Sequence, residues 1–416
     1  MNKQNKGFIP ELRFPEFLQN PGWEAVYGNK AFEQIKDKNH NSDLPILAIT
    51  QDYGAIPRKM IDYNVSVTEK SIQSYKVVDV GDFIISLRSF QGGIEYSEYK
   101  GLCSPAYVVL RNKKGFDKRF FKQYFKAQSF IRDLTKNLEG LRDGKMISYK
   151  QFSEILLPQP SPKEQQKIAD FLASIDEMIT LHTEKLGALK AHKKGLMQQL
   201  FPAEGKTVPK LRFPEFQNKD EWKVRKVDSL AKRGSGHTPN KRMAEYYNGG
   251  IKWVSLADSH KLDKGYIYET KVEISSEGLK NSSAVLHPRG TVIISRDAGV
   301  GKSAILHSDM AVSQHFIAWV CDTSKLVNWF LYYQLQKLKP TFEMIAVGNT
   351  IKTIGLPYFK ELCITVPSIE EQTKISEVLM SIDENVTLCA KKIENLKRYK
   401  KGLVQKLFPM MDDATR

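Results

Sequence analysis

Two stretches of this sequence contain an apolar run that ends in serine and arginine and is followed by a loop with glycines. Arginine beside such a loop is suited to binding a polyanionic ligand. Residues 81–88 read Gly-Asp-Phe-Ile-Ile-Ser-Leu-Arg and precede Gln-Gly-Gly at 91–93. Residues 290–296 read Gly-Thr-Val-Ile-Ile-Ser-Arg and precede Gly-Val-Gly-Lys-Ser at 299–303. Glycine permits a close approach to a nucleic-acid backbone, and arginine binds phosphates or guanine edges in a bidentate manner. The alternative for each loop is a tight turn beside a surface arginine.

Other basic or polar loops offer the same kind of contact. They lie around Arg58, at residues 142–145 (Arg-Asp-Gly-Lys), at residues 236–239 (Gly-His-Thr-Pro) and at Lys241. The predicted DNA-contacting residues are Arg58, Arg88, Gln91, Gly92, Arg142, Lys145, Thr238, Lys241, Arg296 and Lys302.

The net charge also favours a polyanion or an acidic protein as partner. Lysine and arginine number 63 against 47 aspartate and glutamate, for a formal charge of +16 at pH 7. A charge that serves solubility is the alternative. The cysteines lack the spacing of a metal site, so we expect buried thiols, no metal and no cofactor in this chain. Neither a signal peptide nor an apolar stretch near the ~18 residues of a membrane span is found in the sequence, which predicts a cytoplasmic location.

Several motifs of enzymes are absent or incomplete. Residues 299–303 end like a phosphate-binding loop, but position 296 is arginine where that motif needs glycine. Residues 234–236 (Gly-Ser-Gly) follow no convincing strand and lack the third glycine of a dinucleotide site. The sequence has no Asn-Pro-Pro-Tyr or Asp-Pro-Pro-Tyr of amino-methyltransferases. We therefore predict a chain that is not an enzyme.

The elements that must position these loops are built on an internal repeat. Residues 10–17 read Pro-Glu-Leu-Arg-Phe-Pro-Glu-Phe, and residues 209–216 differ from them at one position. Residues 152–202 align without a gap on residues 359–409, with about half the positions identical. The segments between these repeated stretches look far less alike. One frame that presents two different recognition surfaces is the organisation this pattern predicts.

The repeat contains two long helices. Ser161 and Ser368 each start a predicted capping box, in which Glu164 or Glu371 reaches back to the cap amide. Apolar residues then recur with a mean period of 3.5, which is typical of a coiled coil. The predicted helix-pair interface comprises Ile168, Leu172, Ile175, Ile179, Leu186, Leu189, Ile375, Leu379, Ile382, Val386, Ile393 and Leu396.

Polar residues interrupt both stripes at matching places, His182 with Cys389 and Lys193 with Lys400. Such interruptions can define a register, so we predict that the two helices pair with each other. Each is expected to span about 35 residues, or roughly 50 Å. An antiparallel pair would relate two modules by a pseudo-twofold axis. Two unrelated amphipathic helices, each packed on its own domain, are the alternative.

The two inserts have mixed composition. Strands are predicted at residues 76–86, 106–111, 285–295 and 315–320, and helices at 120–130 and 328–337. The fold class is therefore α+β rather than regular βαβ alternation. The aromatic residues of 120–125 are assigned to the core rather than to base stacking.

These motifs closely resemble the specificity subunit of type I restriction-modification systems. The resemblance rests on the two Pro-x-Leu-Arg-Phe-Pro-Glu-Phe segments, on the helix starts at 160–169 and 367–375, and on the Leu-Phe-Pro at both helix ends. Thr238-Pro239 followed by Tyr-Tyr-Asn-Gly-Gly-Ile-Lys-Trp-Val at 246–254 also resembles the opening of a target-recognition domain. The first module lacks this last motif.

The resemblance implies a function and an assembly. Each variable domain would read one half of a bipartite DNA target, and the helices would form a spacer that docks two methyltransferase subunits. S-adenosylmethionine would belong to those subunits, and ATP and Mg to a translocase-nuclease subunit. The implied domains are 1–160, a first recognition domain; 161–203, spacer helix 1; 204–367, a second recognition domain; 368–410, spacer helix 2; and 411–416, a tail. One alternative is a scaffold or antirestriction protein that binds methyltransferase subunits without reading DNA. A second is a standalone nuclease or methyltransferase with a degenerate motif.

Overall fold

The computed structural model describes residues 7–61, 69–136, 147–348 and 352–410. The chain divides into two compact units. Unit 1 contains the residues up to His182 together with those from Lys392 onward, and unit 2 is Thr183–Lys391. The division falls within both long helices, so each unit holds the first part of one helix and the last part of the other.

Unit 1 is a mixed α/β unit, as predicted. Its helices are α1 Gly28–Ala31, α2 Glu69–Ile72, α3 Ser89–Gly92, α4 Lys118–Tyr124, α5 Gln128–Thr135, α6 Tyr149–Ser153 and the start of α7 Pro162–Leu200. Its strands are β1 Glu24–Tyr27, β2 Phe32–Ile35, β3 Leu47–Thr50, β4 Gly54–Pro57, β5 Lys76–Val78, β6 Phe83–Ile85, β7 Glu95–Tyr96, β8 Gly101–Cys103, β9 Val108–Asn112 and β10 Leu156–Gln159.

Unit 2 has the same mixed character. Its helices are α8 Ser276–Lys280, α9 Asn328–Ile345, α10 Leu356–Lys360 and the start of α11 Ile369–Leu407. Its strands are β11 Lys223–Lys226, β12 Ala231–Ser235, β13 Tyr247–Val254, β14 Tyr266–Ile267, β15 Val272–Ile274, β16 Leu286–His287, β17 Val292–Ser295, β18 Ser303–Leu306, β19 Met310–Val312, β20 Phe316–Cys321 and β21 Cys363–Val366.

The central sheets of the two units share a strand order. Unit 1 has the order β2-β9-β6-β7, and unit 2 has β12-β20-β17-β18 followed by a parallel β14. The four shared strands pair antiparallel throughout. Unit 2 adds a second sheet with the order β15-β13-β19-β16. The inserts are therefore more alike in topology than their sequences suggested, and they differ in what is attached to the common sheet.

Each core combines the central sheet with both long helices. In unit 1, aromatic side chains around Phe32 and Phe83 pack in one cluster with Leu172 of α7 and Leu407 of α11. In unit 2, a cluster around Trp319 contains Leu200 of α7 and Leu379 of α11. The residues at 120–125 that were assigned to the core are buried there: Phe120, Phe121, Tyr124 and Phe125.

Several predicted elements have clearly different bounds in the structure. The strand predicted at 76–86 is two strands, because Asp79–Asp82 form a turn in which Gly81 has a φ of 102°. The strand predicted at 285–295 is interrupted in the same way at Gly290, with a φ of 86°. The helix predicted at 120–130 is the two helices α4 and α5, whereas α9 extends to Ile345. The long helices have 39 residues each and continue through Gly195 and Gly402.

The predicted capping boxes are only half correct. Ser161 Oγ accepts a hydrogen bond from the Glu164 amide at 3.3 Å, as a cap should. The carboxylate of Glu164, however, accepts two hydrogen bonds from the guanidinium of Arg13, at 2.7 and 2.9 Å. Arg212 binds Glu371 in the same bidentate manner, at 2.9 and 2.7 Å. A charge-assisted pair with a distant arginine thus replaces the local contact to the cap.

The glutamine that follows each of these glutamates has a matching role. Gln165 Oε1 accepts from the Asp117 amide at the start of α4, at 2.8 Å. Gln372 Oε1 accepts from the Val327 amide at the start of α9, at 2.9 Å. The repeated Glu-Gln pair therefore attaches both the Leu-Arg-Phe segment and the aromatic helix of each unit to the start of a long helix.

The predicted helix-pair residues are all at least half-buried. Ile168, Leu172, Ile175, Ile375, Leu379, Ile393 and Leu396 are buried. Ile179, Leu186, Leu189, Ile382 and Val386 are half-buried. Lys400 interrupts the apolar stripe of α11 within unit 1, and its Nζ atom donates to the two carboxylate oxygens of Asp176 at 2.6 and 2.7 Å.

Candidate nucleic-acid interface

Arg88, Gln91 and Gly92 share one turn at the end of β6 in unit 1. Arg88 and Gln91 are exposed. The turn is held from two sides: Gln51 Nε2 donates to the Arg88 carbonyl at 3.3 Å, and Lys126 Nζ donates to the Gly92 carbonyl at 3.0 Å. The neighbouring Gly93 has a φ of 82°, and a side chain there would meet the Phe125 carbonyl. The turn thus presents an exposed arginine on a fixed backbone.

The lysine that holds this turn also forms an ion pair with a buried carboxylate. Lys126 also contacts Glu95 Oε1 at 2.6 Å, and Glu95 is only 3% exposed. Burial raises the pKa of the Glu95 carboxyl, and the positive charge of Lys126 opposes this rise. Sequence reasoning did not single out either residue, because the contact joins two elements far apart in the chain.

The other predicted residues of the first insert lie elsewhere. Arg58 follows the β3–β4 hairpin, whose turn carries Gln51. Its Nε and Nη1 atoms are buried and have no hydrogen-bond partner within the described part of the chain. Arg142 and Lys145 lie outside the described residues.

In unit 2, Arg296 and Lys302 lie on the loop that joins β17 to β18. Arg296 Nε donates to the Ile354 carbonyl at 3.1 Å, and Lys302 Nζ donates to the Ser259 carbonyl at 3.3 Å. Gly299 and Gly301 take positive φ values of 111° and 82° there, which explains the glycines. Ser303 begins a strand, so no helix follows this loop, as the sequence predicted.

Thr238 and Lys241 lie on a second loop of unit 2, which is held closely against the β-sheet. Strand β12 runs through Gly234 and Ser235, so the prediction that no strand precedes residues 234–236 is wrong. A Cβ atom at Gly236 would lie 1.6 Å from the Val312 carbonyl oxygen. Trp253 Nε1 donates to the His237 carbonyl at 3.1 Å, and Tyr247 Oη donates to the Pro239 carbonyl at 2.7 Å. Glycine at position 236 therefore permits the close approach of this loop to Val312.

A cavity of about 680 Å³ opens between this loop and the segment after β19. Its walls combine apolar and aromatic side chains with hydroxyl, amide, imidazole and ammonium groups. The lining residues are Thr238, Lys241, Tyr247, Trp253, Ser255, Leu256, Ala257, Val272, Ser313, Gln314 and His315. Thr238 and Lys241 are thus brought together. Ser313 Oγ is buried there without a hydrogen-bond partner among the residues that the structure describes.

Gln314 and His315 connect the two loops of unit 2. Thr238 Oγ1 donates to Gln314 Oε1 at 2.6 Å. His315 Nδ1 lies 2.8 Å from Asp297 Oδ2, next to Arg296, and the hydroxyl of Thr353 donates to the other oxygen of Asp297. Sequence reasoning missed these residues, since it placed His315 at the start of a strand and no spacing pattern marked Gln314.

Within the described ranges, no cluster of histidine, cysteine, aspartate and glutamate could hold a metal ion. The same part of the chain contains no helix of the length and apolarity that crossing a bilayer requires. The arrangement offers basic and amide groups on fixed loops, which can bind phosphates and base edges.

Comparisons with known proteins agree with this chemistry. A family model described as the type I restriction modification DNA specificity domain matches residues 24–191 and 219–398. The putative type I restriction enzyme MjaX specificity subunit of Methanocaldococcus jannaschii is 23% identical over 400 residues, which cover 92% of this chain and 90% of that protein. The MjaVIII specificity subunit of the same organism is 24% identical over 419 residues, covering 95% and 93%.

Solved structures share the fold. The type I restriction-modification S subunit from M. genitalium superposes with a TM-score of 0.59 at 15% identity, covering 97% of this chain and 99% of that one. A chain from a study of complex assembly and conformational transition of the type I R-M system gives 0.57 at 20% identity, covering 94% and 98%. The family match spans more than half of the sequence, and it confirms the predicted family and the prediction that the chain is not an enzyme. The chain belongs to the type I restriction-modification DNA specificity family, and it is a non-catalytic specificity subunit.

Proposed function

We propose that this chain reads a bipartite DNA target, with one half-site contacted by each unit. The observation that carries the proposal is the duplicated frame around two different sets of loops. The Arg13–Glu164 and Arg212–Glu371 pairs and the common sheet order repeat, whereas the exposed loops do not. A repeated frame with unlike loops suits two unlike half-sites.

The proposed contacts are the basic and polar residues predicted from the sequence, of which Arg88, Gln91 and Lys241 are exposed in the structure. In unit 1, Arg88, Gln91 and Gly92 would contact DNA from one turn, with Arg58, Arg142 and Lys145 as further contacts. In unit 2, Thr238 and Lys241 would contact it from the cavity, and Arg296 and Lys302 from the neighbouring loop. Phosphate contacts would supply much of the affinity, since the chain carries a charge of +16.

The two long helices would pair as an antiparallel coiled coil and set the distance between the half-sites. Within unit 1, Asp176 near the start of α7 contacts Lys400 near the end of α11. Within unit 2, Lys193 near the end of α7 contacts Asp383 near the start of α11. The internal repeat aligns Asp176 with Asp383 and Lys193 with Lys400, so each ion pair is the counterpart of the other. A pseudo-twofold axis requires this correspondence.

The helices would also dock two methyltransferase subunits, and a translocase-nuclease subunit would join them. S-adenosylmethionine would be bound by the former, and ATP and Mg by the latter. The likeness to a chain from a study of type I R-M complex assembly supports this part of the proposal at the level of the fold.

Selection from a library of random DNA duplexes, with the full chain as bait, tests the proposal. Two enriched blocks separated by unselected bases are expected. Arg88→Ala should weaken selection in one block and Arg296→Ala in the other, each costing about 1–3 kcal/mol on the selected site and less on random DNA. Equal losses on both DNAs would reassign these arginines to phosphate contacts. A single uninterrupted block, or no enrichment, would contradict bipartite reading.

A further inference from the structure

Gln314 is an exposed amide on the wall of the unit 2 cavity. Its Oε1 atom accepts the Thr238 hydroxyl at 2.6 Å, which restrains the side chain. No other hydrogen bond to this amide occurs within the described ranges. The second lone pair of Oε1 and both hydrogens of Nε2 therefore remain available on one restrained group.

The backbone that carries Gln314 is held on both sides. The Ser313 amide donates to the Val254 carbonyl at 2.9 Å, and the Arg296 amide donates to the His315 carbonyl at 2.9 Å. The imidazole of His315 is held by Asp297 at 2.8 Å. Little conformational entropy remains to be lost when a ligand meets this amide, and such preorganisation favours specificity.

The free groups of the amide define what it can read. An acceptor beside a donor matches the N6 amino group and N7 of adenine in the major groove. Guanine presents two acceptors at that edge, and cytosine and thymine each present one polar group. Adenine is therefore the one base whose edge satisfies both halves of the amide.

We propose that Gln314 reads an adenine in the half-site bound by unit 2, and that Thr238 is its positioning residue. The proposal rests on the proposed function, because it requires unit 2 to bind DNA. Lys241, exposed on the same cavity wall, would contact a phosphate and carry no base preference.

The test is duplex selection with the full chain, in which wild type is compared with Gln314→Ala and Gln314→Glu. Gln314→Ala should reduce the preference for adenine at a single position of one block by roughly tenfold to a hundredfold. Gln314→Glu should shift that position toward cytosine, whose N4 amino group donates to a carboxylate. Gln314 is exposed, so neither change should alter the fold, and circular dichroism checks this.

Thr238 variants separate positioning from general stability. Thr238→Val, which lacks the hydroxyl, should weaken selectivity at the same position, and Thr238→Ser should restore it. Lys241→Ala should instead lower affinity evenly over all positions. An unchanged motif with Gln314→Ala, or loss of a base other than adenine, would overturn the proposal and leave bipartite reading intact. Absence of any motif for wild type would instead refute the proposed function, and with it the inference.

Discussion

Lys193 Nζ lies 2.5 and 2.7 Å from the two carboxylate oxygens of Asp383, so the one cationic position in the apolar stripe of α7 is neutralised by a residue of α11. Tyr333 Oη donates to the same carboxylate at 2.9 Å. Burial, and then the charge of Asp383, raise the pKa of the Tyr333 hydroxyl. The pair joins the two helices and the aromatic helix α9 in one polar contact, which favours a single register.

Asp383→Asn should destabilise unit 2. The change leaves the half-buried ammonium of Lys193 without its charged partner, while Tyr333 can still bond to the amide. We expect a loss of about 1–2 kcal/mol in the free energy of unfolding, because residual exposure of both groups screens the pair. Urea denaturation of the full chain measures it. Glu384→Gln, a change at an exposed neighbour, is the control, and equal effects from the two variants would show that the ion pair contributes nothing specific.

Gly236→Ala should displace the Thr238 loop. The new methyl group would lie 1.6 Å from the Val312 carbonyl oxygen, so the backbone of the loop must move. We expect the variant to lose about 1–3 kcal/mol of stability, as other overpacked sites do, and to lose selectivity in one half-site. Duplex selection and urea denaturation measure the two effects. Gly187→Ala on α7, where a methyl group meets open space, should keep binding and add up to about 1 kcal/mol. Wild-type selectivity in Gly236→Ala would mean that this loop does not read DNA.

The stability of the chain should depend on pH through His287. Burial lowers the pKa of this histidine below its ordinary 6.5, and Nε2 lies 3.3 Å from the Ser235 carbonyl. Between the folded pKa and 6.5, the unfolded chain binds more protons than the folded chain, so stability is lost as pH falls through this window. The slope contributed by one such group is at most about 1.4 kcal/mol per pH unit.

Urea denaturation at a series of pH values from neutral to acidic checks this dependence. His287→Gln keeps a hydrogen-bond donor but does not titrate, so its curve should be flatter than that of wild type over the same window. Parallel curves would show that His287 does not supply the dependence, whatever the absolute stabilities of the two proteins.

The long helices and the family could be predicted because their signals are local or repeated. An apolar period of 3.5 and a duplicated segment are visible without knowledge of any contact. The bounds of strands were less accurate, since Gly81 and Gly290 take positive φ values and each introduces a turn between two apolar segments that the prediction had joined. Two helices replaced the one predicted at 120–130 for a similar reason, because Ala127 takes an extended conformation within an otherwise helical pattern.

The contacts that organise the site could not be predicted, because they join distant positions. Arg13 and Glu164 are 151 residues apart, and Thr238 and Gln314 are 76 apart. Gln314 carried no motif, and its proposed role exists only because the fold brings a threonine hydroxyl to its amide. The common sheet order had only one trace in the sequence, the similar stretches at 81–88 and 290–296 that contain β6 and β17.

The helix pair is expected to act as a ruler. Thirty-nine residues span roughly 58 Å at 1.5 Å per residue, which exceeds the 34–36 Å of one turn of B-DNA. Inserting one heptad after Leu186 and one after Ile393 keeps the apolar seam in phase and lengthens each helix by roughly 10 Å. The unread spacer should then grow by about three base pairs, with both half-sites unchanged.

Methylome sequencing of cells that carry the complete system reports this spacer length. A four-residue insertion in one helix alone is the matched control. It shifts the apolar stripe of that helix relative to the stripe of its partner, and it should therefore weaken methylation. An unchanged spacer after the paired heptad insertion would mean that the helices do not set the distance.

The central claim is that each unit reads its own half-site. The most direct measurement replaces residues 24–150 with the corresponding insert of another family member and determines the methylated motif. One half of the motif should change, the other half should persist, and the spacer should keep its length because α7 and α11 are untouched. A change in both halves, or in neither, would contradict independent reading by two units.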